Sequence, residues 1–354
     1  MPWSVPDRFL PILRRVDNSE TQGSKVCQAN YRGNNMNPDK LSGQAPFVFT
    51  HQEDLYNLPE AAQAQEVNLH GGFAVDSREG YGQIYYGMPG CGIMRIDADL
   101  QRQEIINLPD ELTPLNFHST KIGEFDGNQR LILAANNDEQ VVIIGLDGEV
   151  DFILPRPVFD EYKSKETSYS PTDTVLEGNQ LHIADGYGSN YITTADVNTR
   201  TWTGIFGGMT DDREENGKFG TAHGINHNPI HQHLDIADRA NARIQAHFSD
   251  GQFVASHKFT PGALLCGISY IEYQERWYAV IGCLEDPDEG RPAPIYILDA
   301  ETYQILSTIR PKEDLGVELA QHLHNVVFHI QDDQLYLVCQ AWNPGHYFVL
   351  QKAQ

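Results

Sequence analysis

What most limits the fold of this chain is a figure of short strands that returns along it. Its clearest copy runs Thr221-Ala-His-Gly-Ile-Asn226 and then Leu234-Asp-Ile-Ala-Asp-Arg-Ala-Asn-Ala-Arg-Ile-Gln-Ala-His-Phe248. A small-residue opening carries a histidine and a polar turn follows. The next apolar run breaks at Asp238-Arg239 and resumes as an alternating strand from Arg243. The figure opens again at His70, His118, Thr172, Cys266 and His324, so that six units lie 43 to 58 residues apart. Four short strands at such a period make one blade of a propeller. The sequence therefore predicts an all-β, six-bladed β-propeller. Asp126-Gly, Asp147-Gly, Glu177-Gly and Asp250-Gly supply its tight turns. A helix is predicted only over 52–66.

The last unit is one strand short. After His324 the chain offers strands near 326–330, 335–339 and 347–350 and then ends. A ring closed on three strands would leave two edges unpaired. Phe47 to Thr50, an apolar run that belongs to no early blade, is expected to complete the last blade. Residues 1–45, rich in Pro, Asn, Arg and Ser, read as an irregular strap, and 46–354 as a single propeller domain.

The net charge of −24 argues against nucleic acid and anionic membrane surfaces as partners. A small molecule is the expected partner, and the sequence leaves the oligomeric state open. No window of 18 apolar residues exists and the N-terminus shows no signal-peptide pattern, so a cytoplasmic location is expected. Five cysteines without CxxC spacing read as free thiols rather than a disulfide framework.

The repeat also fixes which residues meet. The innermost strand of each blade starts at one channel mouth and the second strand returns to it. His70, His118, Thr172, His223, Cys266 and His324 thus form one ring, with Asn136, Tyr187 and Arg239 just outside it. His118, His223 and His324 come from alternate blades. Such a three-fold set can hold a tetrahedral metal and leave its fourth position open. A lone histidine at such a position more often bonds the neighbouring blade. His70, on the blade between those of His118 and His324, is a candidate fourth ligand. Loops at 156–170, 208–222, 284–294 and 311–323 are long and polar, as functional loops tend to be.

Pro171-Thr-Asp173, Ala184-Asp-Gly-Tyr187, Ala222-His-Gly224 and Ala237-Asp-Arg-Ala-Asn-Ala-Arg-Ile-Gln245 together resemble the NHL-repeat six-bladed propellers. Within them the likeness is to the peptidyl-α-hydroxyglycine amidating lyases, from about residue 67 to 350. The resemblance implies a catalytic zinc on His118, His223 and His324, an active-site tyrosine at Tyr187 and a substrate-facing arginine at Arg239. The chain departs from the family elsewhere. Tyr86-Gly-Met-Pro-Gly90 lacks a second substrate arginine, and Asn325 stands where an aspartate helps hold a structural Ca2+. His322 replaces a methionine, and the four half-cystine positions fall on Ser170, Gly188, Asp235 and Ala246. The substrate end of the site has been rebuilt, with His70, His322 and Asn325 as candidate pocket residues.

Three neutral imidazoles leave most of a zinc ion's charge available to lower the pKa of an oxygen ligand toward about 7. Tyr187, pushed toward phenolate by a cation and a guanidinium, is the expected base, and Arg239 the expected clamp for a carboxylate. The sequence thus points to a zinc-dependent lyase acting on a small hydroxylated or carboxylated substrate. Four channel histidines would also suit Fe2+ in an oxygenase. A Ca2+-dependent lactonase-type hydrolase needs acidic ligands, of which the ring offers Asp173. A non-catalytic binding propeller would present a metal-free, apolar mouth.

Overall fold

A computed structural model describes residues 40–164 and 166–354. Six antiparallel sheets follow one another along the chain, five of four strands and one of five. Blade one is built from Ala74–Val75, Ile84–Met88, Gly92–Ile96 and Gln103–Ile106. Blade two runs Phe117–Phe125, Asn128–Ala135, Gln140–Gly145 and Val150–Leu154. Blade three runs Asp173–Glu177, Gln180–Ala184, Tyr191–Asp196 and Thr201–Gly207. Blade four runs Ala222–His227, Leu234–Asp238, Arg243–His247 and Phe253–Lys258. Blade five runs Leu265–Tyr273, Arg276–Cys283, Ile295–Asp299 and Ile305–Ile309. The two middle strands of each blade are mostly buried because both faces are covered by neighbouring blades, and in blade two they are nearly continuous apolar runs. Ile132, Val141 and Ile143 of blade two, for example, pack with Leu181 and Ile183 of blade three.

Blade six takes Leu323–Gln331, Gln334–Ala341 and His346–Lys352 from the end of the chain and Phe47–His51 from its start. Phe49, Thr50 and His51 pair with Lys352, Gln351 and Leu350. Phe47 and Phe49 are fully buried beside Tyr278, Ile309 and Phe348, so the clasp adds core as well as backbone pairing. This is the closure that the missing strand demanded.

Two local expectations change. Ser42–Gln44 forms a fifth strand on Phe47–His51, where an irregular strap was expected; the rest of that strap, 1–39, lies outside the described residues. Gly43 permits the turn, since its φ is +104° and a Cβ there would lie 2.4 Å from the Phe47 carbonyl oxygen. The helix expected over 52–66 is broken into Glu53–Leu55, Glu60–Gln63 and Glu66–Asn68. The first turn ends at Tyr56, whose backbone is extended, and Pro59, which donates no hydrogen bond, stands immediately before the second. No helix among the described residues is long and apolar enough to cross a membrane. Cys91, Cys266, Cys283 and Cys339 are free thiols, and Cys27 lies outside the described residues.

Candidate active site

The ring residues reach the channel because the inner strands are bulged where they stand. In blade two the pairing passes from Phe117↔Ala135 to Ser119↔Ala134, which leaves His118 without a partner residue. Ala222↔Asp238 and Gly224↔Ala237 skip His223 in the same way. In blade six Leu323↔Ala341 is followed by Val326↔Cys339, skipping His324 and Asn325. A bulge re-aims the side chain it frees, here toward the axis.

Most of the ring is then tied from blade to blade. His118 Nδ1 lies 2.6 Å from the Thr172 carbonyl oxygen, to which it donates. The Thr172 hydroxyl donates to the Ala222 carbonyl at 3.0 Å, and the Cys266 thiol to that of Leu323 at 3.6 Å. Asn325 donates to the Gly71 carbonyl at 3.2 Å and approaches His324 Nδ1 at 2.8 Å. His70 Nδ1 is 3.1 Å from the Asn116 amide, itself bonded to Asn136 Oδ1 at 2.9 Å. The structural and metal-binding readings of these histidines are therefore compatible. One ring nitrogen fixes the imidazole, and the other is turned to the axis, the usual arrangement for a metal ligand.

His70, His118 and His324 place ligand nitrogens within 4.8 Å of one another, a set that could hold a metal ion. Their ring centroids are 4.5–4.6 Å apart. Nε2 of His118 and of His324 are buried with no hydrogen-bond partner, as free ligand atoms would be. Burial holds all four channel imidazoles neutral, with like-charged neighbours adding to it: His70 falls to about 3, and His118, His223 and His324 well below the usual histidine range. The donor set thus fits a first-row metal.

His223 is differently engaged. Its Nε2 lies 2.5 Å from Nη2 of Arg239 and 3.3 Å from the Tyr187 hydroxyl. Arg239 is 6% exposed, and no carboxylate among the described residues pairs with it. Its other contacts are the Tyr187 hydroxyl at 2.9 Å, the Cys266 sulfur at 3.2 Å and the Leu265 carbonyl at 3.3 Å. A buried cation surrounded by neutral groups is costly unless an anion joins it. Two other carboxylates are used elsewhere: Asp238, next to it in sequence, pairs with Arg243, and Asp185, in the turn that carries Tyr187, accepts from Tyr162.

Tyr187 keeps 40% of its surface exposed while its hydroxyl points inward to His223 and Arg239. Burial of the phenol pushes its pKa above the usual range and outweighs the nearby guanidinium. Without a cation beside it the group is a neutral phenol; the phenolate that the sequence reading expected needs the metal as well as the guanidinium. His322 bonds the Leu284 carbonyl at 3.0 Å, and its ring is not among those that converge. Asn325 lies directly beneath the ring and lines the channel. Sequence reasoning missed Trp342, which stacks on His70 at 5.2 Å and 27°. It follows the second strand of blade six as Arg239 follows that of blade four, so aligning the blades on that position would have found it.

No family model and no curated protein matches this chain. Solved structures are similar in fold. A gluconolactonase from Xanthomonas campestris superposes with a TM-score of 0.55 at 13% identity, over 86% of this chain and 97% of its own. A member of the DUF4221 family from Bacteroides vulgatus gives 0.53 at 12% identity, over 88% and 98%. At such identities the likeness establishes that this chain has the architecture of a β-propeller.

Proposed function

We propose that this protein is a metal-dependent lyase-type enzyme, with zinc as the metal and a small hydroxylated or carboxylated molecule as the substrate. The observation that carries the reading is the set of three neutral, convergent imidazoles beside a buried arginine that lacks a carboxylate. His118 and His324 are ligands in this reading, as the resemblance implies, and His70 is the third. Zinc suits three nitrogen ligands with one position left open, and when bound it would make a substrate hydroxyl more acidic.

The remaining residues act on the substrate. Arg239 offers its guanidinium to a carboxylate, which supplies the missing counter-charge. His223 Nε2, neutral and within reach of both Arg239 and Tyr187, orients the pair. Tyr187 donates its hydroxyl proton to the departing group and is reprotonated, by way of the exposed mouth, by the proton that the substrate hydroxyl gives up. The alternative of a lactonase-type hydrolase on channel carboxylates has less support. Asp173 already accepts from the backbone N–H groups of Ile225 and Thr174, each at 2.9 Å, and lies 3.3 Å from Lys121 Nζ.

Metal analysis of protein purified without added metal tests the reading. One equivalent is expected in the wild type and in His223→Ala, with most of it lost in His70→Ala, His118→Ala and His324→Ala. A wild type free of metal, or full occupancy in His118→Ala and His324→Ala, would defeat it.

A further inference from the structure

The channel does not end at the histidines. Beneath them lies a cavity of about 720 Å³, walled by the inner strands of all six blades and running to the opposite mouth. Its roof is Gly72, Gly267 and Asn325. A Cβ on Gly267 would come within 2.1 Å of Asn325 Oδ1, so the roof is closed by a small residue fitted against that amide. Midway down, Lys121 faces Asp173, and at the far end Tyr81 and the partly exposed Trp277 form part of the rim. Apart from Asn325, which also holds His324, none of these groups is used by the reaction proposed above.

The lining specifies a ligand class. Its cations already have partners: Lys121 Nζ is 3.3 Å from Asp173, while Arg78 is 2.6 Å from Asp76 and 3.9 Å from the centre of the Tyr81 ring. The wall therefore has little free positive charge for an anion, and the chain's net charge of −24 opposes one further. It is nonetheless rich in directional polar groups. Lys121 has donors beyond the one Asp173 takes, and the Asn226 amide, fixed by its bond to the Ile268 carbonyl at 2.8 Å, stands in the same wall. Aromatic faces beside paired charges and amides suit a neutral molecule with many hydroxyls and exposed C–H faces. The volume is that of an ordinary small-molecule site.

We propose that this lower chamber is a second binding site, specific for a neutral polyhydroxylated ligand of mono- or disaccharide size. Lys121 bonds its hydroxyls, and Trp277 covers one of its faces. The site stands independently of the metal reading, because it shares no side chain with the imidazole set.

Calorimetric titration of the full chain with glucose, maltose and gluconate tests it. Saturable binding of glucose or maltose is expected, with gluconate weaker, and sugar binding should quench or shift the tryptophan fluorescence. Lys121→Met and Trp277→Ala should each weaken binding tenfold or more, while His118→Ala leaves it unchanged. Melting temperatures confirm that the variants are folded, and Trp277→Gln, on the rim, replaces any that is not. Absence of saturable heat from both sugars, tighter binding of gluconate, or wild-type affinity in the folded variants would overturn the proposal. Loss of metal in the histidine variants has no bearing on this result, so the two readings fail separately.

Discussion

The turns that present Tyr187 and Arg239 are built alike and stabilised differently. Each follows the second strand of its blade, and in each an aspartate accepts a backbone N–H from the loop arriving from the blade before. Asp185 takes Ser170 N at 2.6 Å, and Asp238 takes Gly220 N at 2.7 Å. That bond fastens loop to turn and directs the next side chains to the channel mouth. The remaining partners differ. Asp185 is completed by neutral donors, the Tyr162 hydroxyl at 2.6 Å and Ser189 N at 2.7 Å. Asp238 is completed by the fully buried Arg243 at 2.7 Å and by Asn241 at 2.9 Å. Burial without an ion-pair partner pushes Asp185 up to about 6, against the hydrogen bonds that oppose it. One scaffold thus holds two side chains of the candidate site, one through a neutral network and one through an ion pair.

The comparison is most exposed at Arg243. It also donates to the carbonyls of Arg213, Glu215 and Lys218, so it fastens the loop before blade four. Arg243→Met should strand the Asp238 charge and cost about 3–5 kcal/mol of unfolding free energy, measured by urea denaturation. A loss below about 1 kcal/mol would mean that the ion pair does not hold this turn. Next comes the chemistry. Tyr187→Phe should lower turnover about a hundredfold, or about 2.7 kcal/mol, with unchanged metal content. Full activity on a substrate found by screening hydroxy acids, hydroxyamides and lactones would remove Tyr187 from the mechanism.

A third effect sharpens the neutral side of the comparison. Asp185 titrates near 6 in the folded protein against 3.8 as its ordinary value, so between those values the folded state binds more protons than the unfolded one. Its contribution to stability must then fall as pH rises through that window and level off above it, by about 3 kcal/mol. Asp185→Asn should remove this slope from melting curves recorded between pH 4 and 7. A wild-type minus variant difference that rises with pH would contradict the assignment.

Much of this architecture was legible in the chain. The period fixed the blade count, and the shortfall after His324 identified Phe47–His51 as the closing strand. Helix reading failed at 52–66, where Pro59 cuts a pattern that otherwise looked continuous. The ring itself was legible because strand direction and blade order dictate which residues meet at a mouth.

What the sequence determined by itself is therefore the six-bladed ring, its clasp and the residues that reach the upper channel. These follow from strand periodicity and edge pairing, which are properties of local order along the chain. Only the tertiary structure decided how those residues divide. His70 joins His118 and His324, while His223 turns to Arg239, because the choice depends on distances of a few ångströms between different blades. The desolvation that pushes the Tyr187 phenol up likewise comes from the surfaces packed around it, not from its neighbours in sequence. The lower chamber is likewise a product of assembly, since each blade contributes only a few residues and no single blade encodes a cavity.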